Sequence, residues 1–153
     1  MKIAIIQSGT VGAVGDYKEL FPNTSFSSNG PSDDFLAAHN AKKVNTFKDH
    51  NNLTQKLVPC APYNDGSFVS IVKVESLTAD EIQSAKDSAM SKIRTMRNQL
   101  LKDCDWTQLE DSNVDKQAWA TYRQALRNLP STIADPRTFT AWPHNPDWVS
   151  ETI

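Results

Sequence analysis

Cysteine is scarce in this chain. Only Cys60 and Cys104 occur, and neither belongs to a Cys-x-x-Cys pair or to a Cys/His run with metal-ligand spacing. That excludes a zinc-stapled or disulfide-dense scaffold. Two reduced thiols in a cytosolic setting are expected, and a Cys60–Cys104 bridge is a matter for geometry. Long apolar runs are absent too. The opening MKIAII is shorter than the roughly 7–15 apolar residues of a signal-peptide core, and a spanning helix needs about 20. A soluble protein with no membrane partner is expected. Basic charge is not in surplus: 16 Lys and Arg meet 18 Asp and Glu, for a formal net charge of -2. Through Leu77, seven basic residues balance seven acidic ones, and the rest of the chain has nine against eleven. Without a basic stripe, nucleic acid is a poor partner. His39, His50, His144 and the carboxylates form no acid–base constellation, so no enzyme, metal or cofactor is expected.

Glycine is also sparse, yet three of the five fall in SGTVGAVG as Gly9, Gly12 and Gly15. They follow a β-rich run, Lys2–Ile6. The spacing is GxxGxxG rather than GxGxxG, and no Lys-Ser/Thr pair follows, so a phosphate-binding loop is not supported. A turn or hairpin that uses glycine to reach positive φ is the plainer reading.

What is present divides the chain at Leu77. Residues 1–77 read as a small β-rich module with a hairpin and short helices. Asp16 caps a helical turn that Pro22 stops. Ser32 caps a second short helix, with Asp33 and Asp34 in its first turn and Phe35, Leu36 and Ala38 facing inward. Lys43–Phe47 alternates like a short strand. Two further runs flank Asp65-Gly66, a hairpin-turn pair. Pro59 and Pro62 put the first of these at a sheet edge or shorten it. Val69 and Ile71 fall on one face of the second and Ser70, Val72 and Phe68 on the other, so cover on both sides is expected.

Residues 78–153 read as a helical module. Thr78 and Glu81 form a capping box. Ile82, Ala85, Ala89, Ile93, Met96 and Leu100 then recur every three or four residues, which predicts a helix to about Lys102, roughly 35 Å long. A polar connector holds Trp106. Ser112 is the expected cap of a second helix over about Asn113–Asn128, stopped by Pro130. Its stripe is Val114, Ala118, Tyr122, Ala125, Leu126 and Leu129, with Trp119 alongside. A short connector makes the pair an antiparallel αα-hairpin. Such a pair needs a further layer: the tail, the β module, a second copy in a homo-oligomer, or a client. The tail carries Pro136, Pro143 and Pro146 and is expected to be extended, with Phe139, Trp142 and Trp148 as large apolar groups. Trp142 either folds back on the helix pair or anchors a partner. The fold class is α+β, with a β-rich module followed by a two-helix module with an extended tail.

Arg97, Leu100 and Leu101, then Asp105-Trp106-Thr107-Gln108, then Ala118, Trp119, Tyr122, Arg123, Ala125, Leu126 and Arg127, then Trp142, Pro143 and Pro146 stand in an order and spacing that resemble the C-terminal domain of phage tail assembly chaperones. FPNTSF, PSDDFLA, TQKLV and LTADEI of the first half are similar, more loosely, to the amino-terminal part of such proteins. The resemblance implies a bacteriophage tail fibre assembly chaperone. Its amino-terminal module would hold the fibre, and its helical module would help the fibre fold and trimerise in the cytoplasm of the infected bacterium. The alternative it implies is a structural virion protein, a fibre or baseplate adaptor kept on the mature particle. Candidate partner-binding residues are Trp106, Thr107, Gln108, Trp119, Tyr122, Arg123, Trp142 and Pro143. Trp119 and Tyr122 lean towards core, and Trp106 towards contact.

Overall fold

The computed structural model describes residues 1–147, and Trp148, one of the expected tail aromatics, lies outside them. The architecture is α+β, in two compact units, Met1–Leu77 and the chain from Thr78 onward.

The first unit is built on a five-stranded sheet whose spatial order is β2 (Thr10–Asp16), β1 (Lys2–Gln7), β3 (Ala41–Asn45), β5 (Phe68–Ser76), β4 (Gln55–Asp65). Strands β1 (Lys2–Gln7) and β2 (Thr10–Asp16) form an antiparallel hairpin. Ser8 and Gly9 both take positive φ at its turn, 51° and 81°, the requirement of a tight two-residue hairpin loop. Only Gly9 of the three glycines serves that purpose. Gly12 and Gly15 lie within β2. A Cβ at Gly12 would sit 3.3 Å from the Ile5 carbonyl oxygen, where the pairing shifts register between Ala4 and Ile6. Asp16 caps α1 (Tyr17–Leu20) by accepting from the Lys18 N–H, and Ser32 caps α2 (Asp33–Ala38) by accepting from the Phe35 N–H. Leu36 is buried, but Ala38 is exposed and Phe35 only half-buried, because a helix this short turns one residue fully inward. Phe35 instead joins a cluster of edge-on rings, 5.1 Å from Phe21 and 5.0 Å from Phe26. Of these, Phe21 and Phe26 pack against the core of Ile3, Tyr17, Leu36 and Ala41.

Strand β3 covers Ala41–Asn45, two residues earlier than its alternation suggests. It pairs antiparallel with β1 on one side and parallel with β5 on the other. Strands β4 (Gln55–Asp65) and β5 (Phe68–Ser76) form the second hairpin. Gly66, at φ 64°, supplies the positive dihedral at its turn. Strand β4 is an edge, as its prolines require, and its pairing shifts between Pro59 and Tyr63. Val69 and Ser70 are both fully buried, so β5 is covered on two faces there, while Phe68 at the strand start is exposed. Two lysines grip the tip of this hairpin. The Lys42 ammonium donates to Asn64 Oδ1 at 2.7 Å and to the Gly66 carbonyl. Lys48 pairs with Asp65 at 2.7 Å, and Asp65 also accepts from the Ser70 hydroxyl at 2.9 Å. The hydrogen bonds to Asp65 and Tyr63 push the Lys48 pKa up to about 12, and the bonds from Lys48 and Ser70 hold the Asp65 carboxyl below its usual range.

The second unit begins with α3 (Ala79–Asp103), whose Thr78–Glu81 capping box is complete. Helix α4 spans Lys116–Thr132. Its cap is Asp115, which accepts from the Ala118 N–H. Ser112 does not cap it, because its hydroxyl turns back to donate to the Thr107 and Leu109 carbonyls. Nor does Pro130 end the helix; it sits in the last turn, where the missing N–H costs one ladder bond and only two residues follow. The helices run antiparallel. Arg123 of α4 reaches the Leu101 carbonyl near the end of α3, while Asp135, beyond α4, lies in the field of Lys86.

The core of this unit is Cys104, Trp119, Tyr122 and Leu126, with Leu100, Leu101, Val114 and Trp142 packed against it. Ala125, expected on the inner stripe, is exposed, and its place inside is taken by Arg123. Along α3 the periodic stripe is thinly covered: Ile93 is buried, Ala85 is exposed and Met96 is 53% exposed. After α4 a 3-10 turn over Pro136–Thr138 is capped by Asp135, and the chain to Asn145 has no regular secondary structure. Trp142 folds back, meeting Phe139 edge-on at 5.2 Å.

Candidate partner-binding surface

The connector between α3 and α4 is fixed from beneath. Cys104 ends α3, and residues Asp105–Gln108 form a single 3-10 turn. Thr107 is fully buried. Its hydroxyl donates to the Cys104 carbonyl at 2.7 Å and accepts from Gln108 Nε2 at 3.0 Å. A small β-branched side chain that both donates and accepts can close such a turn without leaving an orphaned polar atom. Arg123 completes the support. Its guanidinium donates to the Leu101 carbonyl at 2.8 Å, to Cys104 Sγ at 3.0 Å and to Asp105 Oδ1 at 2.6 Å. Burial works against its charge, but the hydrogen bonds to Asp105 and Cys104 outweigh that and raise its pKa above the ordinary arginine value. Both cysteines are free thiols.

The turn presents two apolar side chains outward. Trp106 is 51% and Leu109 57% exposed. They stand three residues apart, with the Leu109 N–H donating to the Trp106 carbonyl, and side chains at that spacing eclipse in 3-10 geometry. Trp106 rests against buried Trp119, ring centroids 6.4 Å apart, and Trp119 meets Tyr122 edge-on at 5.6 Å. The Trp119 indole N–H is buried with no hydrogen-bond partner. Burial pushes the Tyr122 phenol up.

The candidate residues therefore separate. Trp106 and Gln108 are on the surface, and Trp142 and Pro143 are half-buried. Thr107, Trp119, Tyr122 and Arg123 are interior. Each of these four is occupied in holding the connector and core together, and for Trp119 and Tyr122 this is the core side to which the sequence leans. Trp142 and Pro143 line a groove of about 320 Å³ with Met96, Leu100 and Tyr122. Leu109 was missed. An exposed leucine carries no sequence signal of its own, and only the turn geometry pairs it with Trp106. Among the described residues no group of three His, Cys, Asp or Glu side chains could hold a metal, and no helix is long and apolar enough to cross a membrane.

The second unit is thus a capped helical hairpin with an exposed aromatic on its connector. Residues 90–147 match the family of phage tail assembly chaperone proteins, the family that the connector and α4 motifs resemble. The match spans less than half of the chain and lies wholly in the second unit. It points to a role in phage tail assembly through interaction with phage tail proteins. No curated protein and no solved structure matches the chain.

Proposed function

We propose that this protein is a bacteriophage tail fibre assembly chaperone, acting in the infected host cell without enzymatic activity of its own. It binds the tail fibre protein and promotes its folding and trimerisation, the helical unit providing the assembly surface and the β-rich unit holding the fibre. The observation that carries this reading is the coincidence of the matched segment, 90–147, with the part of the chain that exposes Trp106 and Leu109 on a rigidly supported turn. Histidine placement fits a non-enzymatic role: His39 stacks on Phe35 at 4.0 Å, and His50 Nδ1 lies 2.8 Å from the Lys48 carbonyl oxygen. The test is co-expression with the fibre gene of the same phage. Soluble, trimeric fibre should depend on this chain; fibre that trimerises equally well without it would overturn the proposal. Mass spectrometry of purified virions is the second readout, and stoichiometric amounts there would move the reading to a retained virion protein.

A further inference from the structure

Trp106 and Leu109 stand exposed three residues apart on a turn whose interior is filled by Thr107, Cys104 and Arg123. Charge around the pair is lopsided. Residues 102–116 contain five carboxylates and two lysines. Asp105 is neutralised by Arg123 and Asp115 is committed to capping α4. Lys116 is drawn onto the Glu110 carbonyl at 2.8 Å. Asp103, Glu110 and Asp111 are exposed and flank the pair along the chain, Asp103 accepting from Gln99 Nε2 at 2.6 Å, against one other exposed cation, Lys102. A surface of this kind favours an apolar anchor flanked by cations, since an indole face also attracts ammonium and guanidinium groups.

We propose that the Trp106–Leu109 turn docks a basic amphipathic segment of the client protein, one that sets leucine-like side chains against the pair and Lys or Arg against the acidic rim. This deepens the chaperone reading and rests on it for the identity of the client. A second copy of this chain is the less suited occupant: in a face-to-face pair the turn would set Glu110 and Asp111 of one copy against the same carboxylates of the other.

The probe is a pair of dye-labelled peptides with identical leucines, one with Lys and Arg at its polar positions and one with Glu, read by fluorescence anisotropy on the full chain. The basic peptide should bind at least tenfold tighter, and its binding should weaken severalfold between 50 and 500 mM NaCl, about the salt range over which exposed charges become screened. Trp106→Ala and Leu109→Ser should each reduce binding about tenfold or more, with unchanged circular dichroism. The double variant Glu110→Lys, Asp111→Lys should reverse the preference between the two peptides. Equal binding of both peptides, or binding of the basic peptide that survives Trp106→Ala and Leu109→Ser, would overturn the proposal. So would self-association lost in Leu109→Ser without any peptide preference, which would assign the surface to a second copy. Fibre rescue by co-expression in the Leu109→Ser and charge-reversed variants would sink this inference and leave the chaperone reading standing.

Discussion

Arg123 on α4 and Asp105 at the head of the connector are joined at 2.6 Å, with the arginine buried and the aspartate side chain 63% exposed. The same guanidinium satisfies the Leu101 carbonyl and Cys104 Sγ. One side chain thus ties the end of one helix, the turn after it and the next helix. Removing it orphans an acceptor and opens space. Arg123→Ala should lower stability by about 1–3 kcal/mol, the exposed half of the ion pair adding little. Arg123→Lys should recover only part, because an ammonium cannot reproduce the fork of donors. Urea denaturation of the three proteins checks this.

Trp119 and Trp106 are near neighbours of opposite burial. Trp119→Ala should cost about 3–5 kcal/mol, and Leu126→Ala, at a fully buried position, about 2–5 kcal/mol. Trp106→Ala should shift the thermal midpoint little while reducing client capture. Thermal melts beside a pull-down separate the two; a Trp106→Ala melt as low as that of Trp119→Ala would place Trp106 in the core.

Helix α3 depends on its start. Thr78→Ala removes the oxygen that accepts the Glu81 N–H at 3.2 Å and should cost about 1 kcal/mol. Thr78→Ser should retain most of that. Far-ultraviolet circular dichroism followed through thermal unfolding is the measurement.

Asp135 carries a pH signature. Side-chain and backbone hydrogen bonds from Arg137 hold its pKa at about 2, below the ordinary 3.8. A depressed carboxyl stabilises the fold fully above its unfolded value, and that contribution disappears as pH falls through the folded one. The difference in thermal midpoint between the protein and Asp135→Asn should therefore be constant above about pH 5 and shrink between pH 4 and pH 2. A difference that grows on acidification contradicts the assignment.

Local chemistry made much of this fold legible. Asp16, Ser32 and Thr78 bond within three residues of themselves, so their caps could be read from the chain, and Asp65-Gly66 marked its hairpin in the same way. Ser112 failed because its hydroxyl has better acceptors in the folded connector than on the helix it precedes. The α3 stripe shows the limit of periodicity, which says which residues share a face and nothing about whether that face is covered; Met96 keeps the spacing and stays exposed. Burial of Arg123 depends on three acceptors up to 22 residues away, and the order of the five strands depends on pairings of similar reach. Of the candidate site, Trp106 was readable as an aromatic on a polar linker. Its partner Leu109 was not.

The parallel β3–β5 seam has a kinetic consequence. Each flanking hairpin closes through a two-residue loop, and hairpins form in about 1–10 μs. The seam joins Val44 to Val69 and Asn45 to Ser70, contacts that must wait for the intervening β4 strand to cross over, and such non-local pairing is slow. The β-rich unit should therefore assemble as two early halves and one late junction, with Lys42 and Lys48 reaching across from the first half to the tip of the second. During synthesis, that junction is the last place where an unpaired strand lies open to a neighbouring chain.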